Sequence, residues 1–379
     1  MRFGIFYELS VPRPWDREAE HTVYQNALEQ VRLADELGFH SVWAVEHHFL
    51  EEYSHCPAPE VFLTACAAQT QRIRVGHGIV ICVPEFNHPT RIAERAAVLD
   101  IVSSGRLEFG TGRSATWTEL GGFGADPDDT KKSWDEFVHA IPKMWTQERY
   151  SHDGHFFSMP SRAVLPKPYQ RPHPPMWVAM SSPGTELDAA DRGMGALGVN
   201  FASFAETEQK VNTYRRRIQS CDPVGEIVTD QLASVNFLYC HPEDAKGVET
   251  GMGMIRLFQY MAGQLDMAKE VYPTRSYPTA GLLAQTRRQA AGPGDERGAP
   301  EGIAVGSPDQ ITAELKKWEA AGIDQVNFLL QAAEIIPQQQ VLDSLQLFAD
   351  EVMPHFSDGG STTRAHGEGA AAAQPVAGG

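Results

Sequence analysis

Ser41-Val42-Trp43-Ala44-Val45-Glu46-His47-His48-Phe49 reads as a short buried strand that ends in an acid and two adjacent histidines. Its first five residues are small, β-branched or aromatic, the side chains that suit a strand covered on both faces. Such a strand delivers Glu46 and His47 to its C-terminal end. In α/β barrels that end is the mouth, and the loops there carry the chemistry.

Working outward, strands and helices alternate. Residues 2–7 read as a strand, and 21–37 as a helix with Val23, Ala27, Val31, Ala34 and Leu37 on one face and Gly38 as its stop. After the quoted strand, 59–70 reads as a helix, 73–81 as a strand with two glycines, 89–102 as a helix begun by Pro89, and 106–110 as a strand. The pattern continues with a helix over 130–146, a small hairpin strand over 150–158, strands at 176–180 and 196–200, and helices at 183–193 and 206–220. A longer strand over 228–240, a helix over 242–262 weakened by Gly251 and Gly253, a helix over 308–321 capped by Ser307, a strand over 324–330 and a helix over 337–352 complete it. About eight strands alternating with helices predict a parallel α/β architecture, and a closed TIM-like (β/α)8 barrel with insertions in preference to an open sheet. Residues 1–356 then form one domain. The Pro-, Gly- and Arg-rich stretch 272–302 reads as a mobile lid, and the Gly- and Ala-rich tail 357–379 as disordered.

The chain has 379 residues, 42% of them hydrophobic, with 32 basic against 49 acidic side chains and a net charge of −17. That acidic balance argues against nucleic acid or an anionic membrane surface as a partner. Five scattered cysteines without a C-x-x-C pair argue against a disulfide framework. The N-terminus is too soon polar for a signal peptide, and no run approaches the ~18 apolar residues of a membrane span. A cytoplasmic enzyme is expected.

His47, His48 and His55 with Glu46 and Glu60 contain metal-ligand residue types, but adjacent histidines on a loop splay apart and no H-E-x-x-H is present; no metal is expected. Gly110-Thr111-Gly112-Arg113-Ser114 follows a strand, and Ser181-Ser182-Pro183-Gly184-Thr185 follows the next and opens a helix. Each taken alone fits a structural turn. Together, at one end of the sheet, they also fit an anion site built from a forked guanidinium and free backbone N–H groups. There is no nucleophile elbow and no P-loop, so the chemistry is expected to belong to a bound cofactor. Trp43, Trp117, Trp177, Phe123 and Phe201 are candidates either to line a substrate pocket or to pack the core.

Several segments, in order, carry a resemblance: Met1-Arg2-Phe3-Gly4-Ile5-Phe6, Gly38-Phe39-His40-Ser41-Val42-Trp43, Glu46-His47-His48-Phe49, His88-Pro89-Thr90-Arg91-Ile92-Ala93-Glu94, Ser104-Gly105-Arg106-Leu107-Glu108-Phe109-Gly110, Ala189-Ala190-Asp191-Arg192-Gly193 and Leu347-Phe348-Ala349-Asp350-Glu351-Val352-Met353-Pro354. Over most of residues 1–355 the chain resembles the bacterial luciferase-like, flavin-dependent monooxygenases, and the luciferase α subunit in particular. The resemblance implies reduced FMN supplied by a separate flavin reductase, O2, a C4a-peroxyflavin and oxygenation of a small molecule such as an aldehyde, a ketone or a natural-product intermediate. It implies His47 as the essential histidine; Glu46 beside it is expected either to orient the ring or to point into the barrel wall. It places Arg113 and Lys131 on the FMN phosphate, and Ser182 and Thr185 on the phosphate turn. Ser181 stands where luciferase has a glutamate, and Gly112 where it has a cysteine beside the reactive flavin carbon. Thr116 replaces an active-site tyrosine. Gly78 lies in the segment Gly76-His77-Gly78-Ile79, which differs from the luciferase segment that holds a cis peptide against the flavin ring; an unusual peptide is expected here. A homodimer paired through helices on one side of the barrel is implied as well. Alternatives are a relative that transfers hydride with F420, a non-catalytic partner subunit and, outside the family, a metal-dependent barrel hydrolase.

Overall fold

The structure, a computed structural model, describes residues 1–114, 116–180, 184–199, 204–267, 301–357 and 363–365. Its centre is a closed barrel of eight parallel strands: β1 (Arg2–Tyr7), β2 (Ser41–Ala44), β3 (Arg74–His77), β5 (Leu107–Gly112), β8 (Met176–Ala179), β9 (Gly195–Val199), β11 (Leu232–Cys240) and β13 (Gln325–Leu329), which pairs back to β1. The short β4 (Val80–Ile81) adds to the end of β5, and β12 (Ala304–Gly306) adds to β11. Outside the barrel, β6 (Tyr150–Asp153) and β7 (Ser158–Arg162) form a hairpin, and β10 (Ile227–Thr229) pairs with β14 (Thr363–Ala365). The helices are α1 (Ala19–Leu37), α2 (Pro59–Ala68), α3 (Pro89–Val102), α4 (Trp117–Phe123), α5 (Thr130–Thr146), α6 (Thr185–Asp191), α7 (Phe204–Ile218), α8 (Asp244–Met267), α9 (Pro308–Ala320) and α10 (Gln338–Glu351). This is the TIM-like (β/α)8 barrel the strand–helix alternation predicts.

Local chemistry sets the boundaries. Gly38 adopts φ +87° and ends α1, with its N–H on the Asp35 carbonyl and the Phe39 N–H on the Ala34 carbonyl. Ser307 caps α9 by accepting the Gln310 N–H, as its position predicts. The stretch 73–81, expected as one strand, divides into β3 and β4 at Gly78, whose N–H turns to the Ala44 carbonyl (2.7 Å). The strand expected over 228–240 likewise divides into β10 and β11. Gly251 does not break α8. A side chain there would meet Val305 at 2.5 Å, and one at Gly247 would meet the Gly306 backbone at 2.7 Å, so these glycines let the helix lie directly on β12.

The barrel interior is filled. Trp43 and Trp177 are fully buried and meet edge to face with centroids 5.4 Å apart. Each sits opposite a glycine in register on the next strand, Gly76 for Trp43 and Gly195 for Trp177, where any Cβ would overlap the indole. The Trp43 indole N–H donates to Ser41 Oγ (2.9 Å) and that of Trp177 to Glu108 Oε2 (2.7 Å), while Arg74 pairs with Glu108. Both tryptophans therefore plug the barrel; neither lines an open pocket. Among the described residues no helix is long and apolar enough to cross a membrane.

Candidate active site

The loops after β1 and β2 are laced together at the mouth. Ser54 Oγ donates to the Glu8 carbonyl (2.6 Å), Ser10 Oγ to the Tyr53 carbonyl (2.6 Å), and the His47 N–H to the Cys56 carbonyl (3.1 Å). Leu9 (φ +51°) and Phe49 (φ +61°) take left-handed conformations unusual for their side chains, one just after each strand end.

His47 stands between two carboxylates. Its Nδ1 is 2.9 Å from Glu119 Oε1, and its Nε2 is 3.7 Å from Glu8 Oε2. Glu119 is fully buried and also accepts the His48 N–H (2.9 Å), the Ser114 hydroxyl (2.6 Å) and the Thr116 hydroxyl (3.1 Å). Burial alone would raise the Glu119 carboxyl. The His47 charge and these donors outweigh it and hold that carboxyl below its usual range. Burial likewise opposes the His47 imidazolium, but Glu119 first, then Glu8 and Glu46, raise its pKa to about 9. The carboxylates on either side thus favour the protonated imidazole, the form in which both ring nitrogens carry a proton to donate. For Glu8, burial dominates and raises the carboxyl, with Glu119 adding to it and His47 and Tyr53 opposing.

Glu46 does not hold His47. Its Oε2 accepts the Ile81 N–H (2.6 Å), and its Oε1 accepts from Asn87 Nδ2 (2.8 Å) and lies 3.3 Å from His48 Nε2. Asn87 is tied on to Arg95 (2.6 Å), and Arg95 to Glu60 (3.1 Å). Glu46 thus fixes β4 and the neighbouring histidine, and the orienting role expected of it falls to Glu119. Glu119 lies on α4, a helix the sequence reading passes over. The signal was present: Thr116-Trp117-Thr118-Glu119 is a capping box, and Thr116 Oγ1 accepts the Glu119 N–H (3.2 Å).

On the next sector of the mouth, Arg113 Nη1 donates to Thr130 Oγ1 (3.0 Å), and Lys131 Nζ pairs with Asp188 Oδ2 (2.7 Å). These contacts draw together the end of β5, the start of α5 and α6, whose first residue is Thr185. Guanidinium, ammonium and hydroxyl groups on one rim make a donor set that suits a phosphate. Ser181 and Ser182 lie outside the described residues, as do Phe201 and all of the expected lid except residues 301 and 302. Gly78 and Gly112 are packed by the chain itself: a Cβ would meet Phe6 at 2.7 Å at the first and Ile79 at 2.8 Å at the second. The described cis peptides are Arg13–Pro14, Leu165–Pro166 and Arg171–Pro172, so the bonds of 76–79 are trans. Among the described residues no cluster of three or more metal-ligand side chains forms.

Trp117 and Phe123 rim the mouth on α4. Phe123 packs against Phe49 (5.1 Å between centroids) and Phe86 (4.3 Å), and Trp117 is 40% exposed, so this wall is apolar and open to a ligand.

Residues 1–325 match the model of the luciferase-like monooxygenases. The oxygenase component of a flavin-dependent trigonelline monooxygenase from Acinetobacter baylyi is 27% identical, over 94% of this chain and 96% of its own length. Among solved structures, the monooxygenase RslO1 of Streptomyces bottropensis superposes with a TM-score of 0.74 at 26% identity, covering 94% of this chain and all of RslO1 (100%). The oxygenating constituent of 3,6-diketocamphane monooxygenase from Pseudomonas putida, a type II Baeyer–Villiger enzyme in complex with FMN, shares the fold with a TM-score of 0.71 at 17% identity, over 94% and 99% of the two chains. With the barrel, its order of motifs and these matches in agreement, the chain belongs to the luciferase-like monooxygenase family.

Proposed function

We propose that the chain is the oxygenase component of a two-component system, using reduced FMN from a separate reductase and O2 to oxygenate a small organic molecule. The observation that carries this reading is His47 held between the buried carboxylates Glu8 and Glu119, at the same strand-end face as Arg113 and Lys131. Arg113, Lys131 and Thr185, with Ser181 and Ser182, would hold the FMN phosphate. Bound reduced flavin supplies the electrons that activate O2.

The chain's own residues do the rest. Glu119 fixes the Nδ1 proton and the tilt of the His47 ring, which leaves Nε2 as the end that donates to an oxygen atom in the site. With Trp43 and Trp177 filling the barrel, ligands would bind at the mouth. The aromatic wall of Phe49, Phe86, Phe123 and Trp117 supplies apolar surface that excludes water from one side.

The pairing reading extends to a homodimer. On α2 and α3, Val61 is 67%, Val98 45%, Ile101 42% and Val102 46% exposed, apolar side chains that a partner could cover. A monomer by light scattering at micromolar concentration would overturn it.

The test is anaerobic titration with reduced FMN, then rapid mixing with oxygenated buffer. A protein-dependent transient in the flavin spectrum supports the oxygenase reading, and His47→Ala should keep FMN binding while losing turnover. Reoxidation no different from free flavin would turn the assignment to an F420-dependent hydride transfer or a non-catalytic subunit, separated by F420 titration.

A further inference from the structure

Glu8 follows the last residue of β1, the strand paired with β2, which leads to His47. It is 8% exposed. Its Oε1 accepts from Tyr53 OH (3.0 Å), and the Tyr53 ring packs edge-on against His47 with centroids 5.5 Å apart, so the carboxylate is aimed by the same side chain that abuts the imidazole. Its Oε2 is buried with no hydrogen-bond partner, and it faces His47 Nε2 at 3.7 Å. A buried carboxylate oxygen left without a donor is costly and calls for a reason.

The other titratable groups around His47 are already committed. Glu119 takes Nδ1, Glu46 takes Ile81, Asn87 and His48, and Tyr53 gives its proton to Glu8. Cys56 contributes only its carbonyl here, and burial pushes its thiol well up, so it stays neutral. The chain also turns in a left-handed conformation at Leu9 immediately after Glu8, held by the His55 N–H on the Leu9 carbonyl (3.0 Å).

We propose that Glu8 is a positioning residue for His47, holding the Nε2–H of the imidazolium in the resting site and releasing it toward the reacting oxygen. In that step the proton leaves Nε2, its bonding pair stays on the ring, and His47 becomes neutral with its Nδ1 proton still held by Glu119. Glu8 itself takes no proton in this step. At 3.7 Å the two groups attract as an ion pair across slightly more than hydrogen-bond length. This rests on the reading of His47 as the acting residue.

The experiment is an NMR titration of the full chain without cofactor, with ring-labelled histidine and carboxyl-labelled glutamate. Glu8→Gln should lower the His47 titration by about 1 unit, the scale of losing an opposite charge at this range, and Glu8→Asp should restore part of it. The pH profile of turnover should move the same way. An unchanged His47 titration in a folded Glu8→Gln protein overturns the proposal. Should that variant not fold, the wild type decides: the Glu8 carboxyl carbon must shift in step with His47 deprotonation, and a flat response overturns it. A His47 shift in a protein that does not oxygenate would leave this coupling standing and remove the oxygenase reading instead.

Discussion

Glu119 Oε1 sits 2.9 Å from His47 Nδ1 across 72 residues of sequence, and the same carboxylate accepts the His48 N–H and two hydroxyls. One buried acid thus fixes the ring, the loop that carries it and the start of α4. Replacing it by Gln keeps the shape and removes the charge. Glu119→Gln should cut turnover by about 10²-fold, the low end for losing a positioned proton-transfer group, while FMN affinity stays near wild type. Steady-state oxygenation with a saturating reductase checks this; unchanged turnover would refute the role.

The two rim cations should differ. Arg113 bonds to Thr130 at the foot of α5, and Arg113→Ala should weaken FMN binding by roughly 1.5–3 kcal/mol, the scale of a charge-assisted hydrogen bond. Lys131 is 54% exposed and already paired with Asp188, so Lys131→Ala should cost less than about 1 kcal/mol. Fluorescence titration of FMN into each variant measures both, and equal losses would count against the assignment of Arg113 as the principal contact.

Alkaline stability follows from His47. Its pKa rises from 6.5 in the unfolded chain to about 9 in the fold, so the stabilisation is complete below pH 6.5 and is lost as pH rises through 9. The urea midpoint should fall between pH 7 and 10 in the wild type and fall less in His47→Gln. Parallel curves would show that the carboxylates do not hold the charge.

At the acid end His77 takes over. Burial drives its pKa down to about 3, with Arg95 adding to the effect, and its Nδ1 is buried without a partner. The ring packs neutral against Phe109 at 5.7 Å. Stabilisation from the neutral form is present above pH 6.5 and is lost as pH falls toward 3. His77→Phe should flatten the loss of stability between pH 6 and 4, read by denaturant unfolding. His40, lowered to about 3 by burial and by Arg2 and Arg74, keeps some acid sensitivity in that variant.

Most of the barrel was legible because its strands and helices have clean periods and clear stops, Gly38 and Ser307 among them. What escaped depended on distance in space. Nothing local says that Gly251 meets Val305, so it reads as a weakness in α8 when it is part of the surface by which the helix packs on β12. The place of His47 at a strand end marks it in the sequence, but the adjacent acid, Glu46, is not the one that orients it. The structure gives that role to Glu119, and brings in Glu8 from β1, a partner no spacing along the chain could reveal.

The indole–glycine pairs at the centre of the barrel bear on how this chain can change over time. Gly76 cannot gain a side chain while Trp43 stands opposite, and a smaller residue at 43 leaves a hole that a larger residue at 76 could fill. The same holds for Gly195 and Trp177. Each pair is a two-step path with an unstable midpoint, so the plug should be nearly frozen under neutral drift. Variation is thereby channelled to the mouth loops, where a new substrate preference can be acquired without disturbing the foundation beneath it.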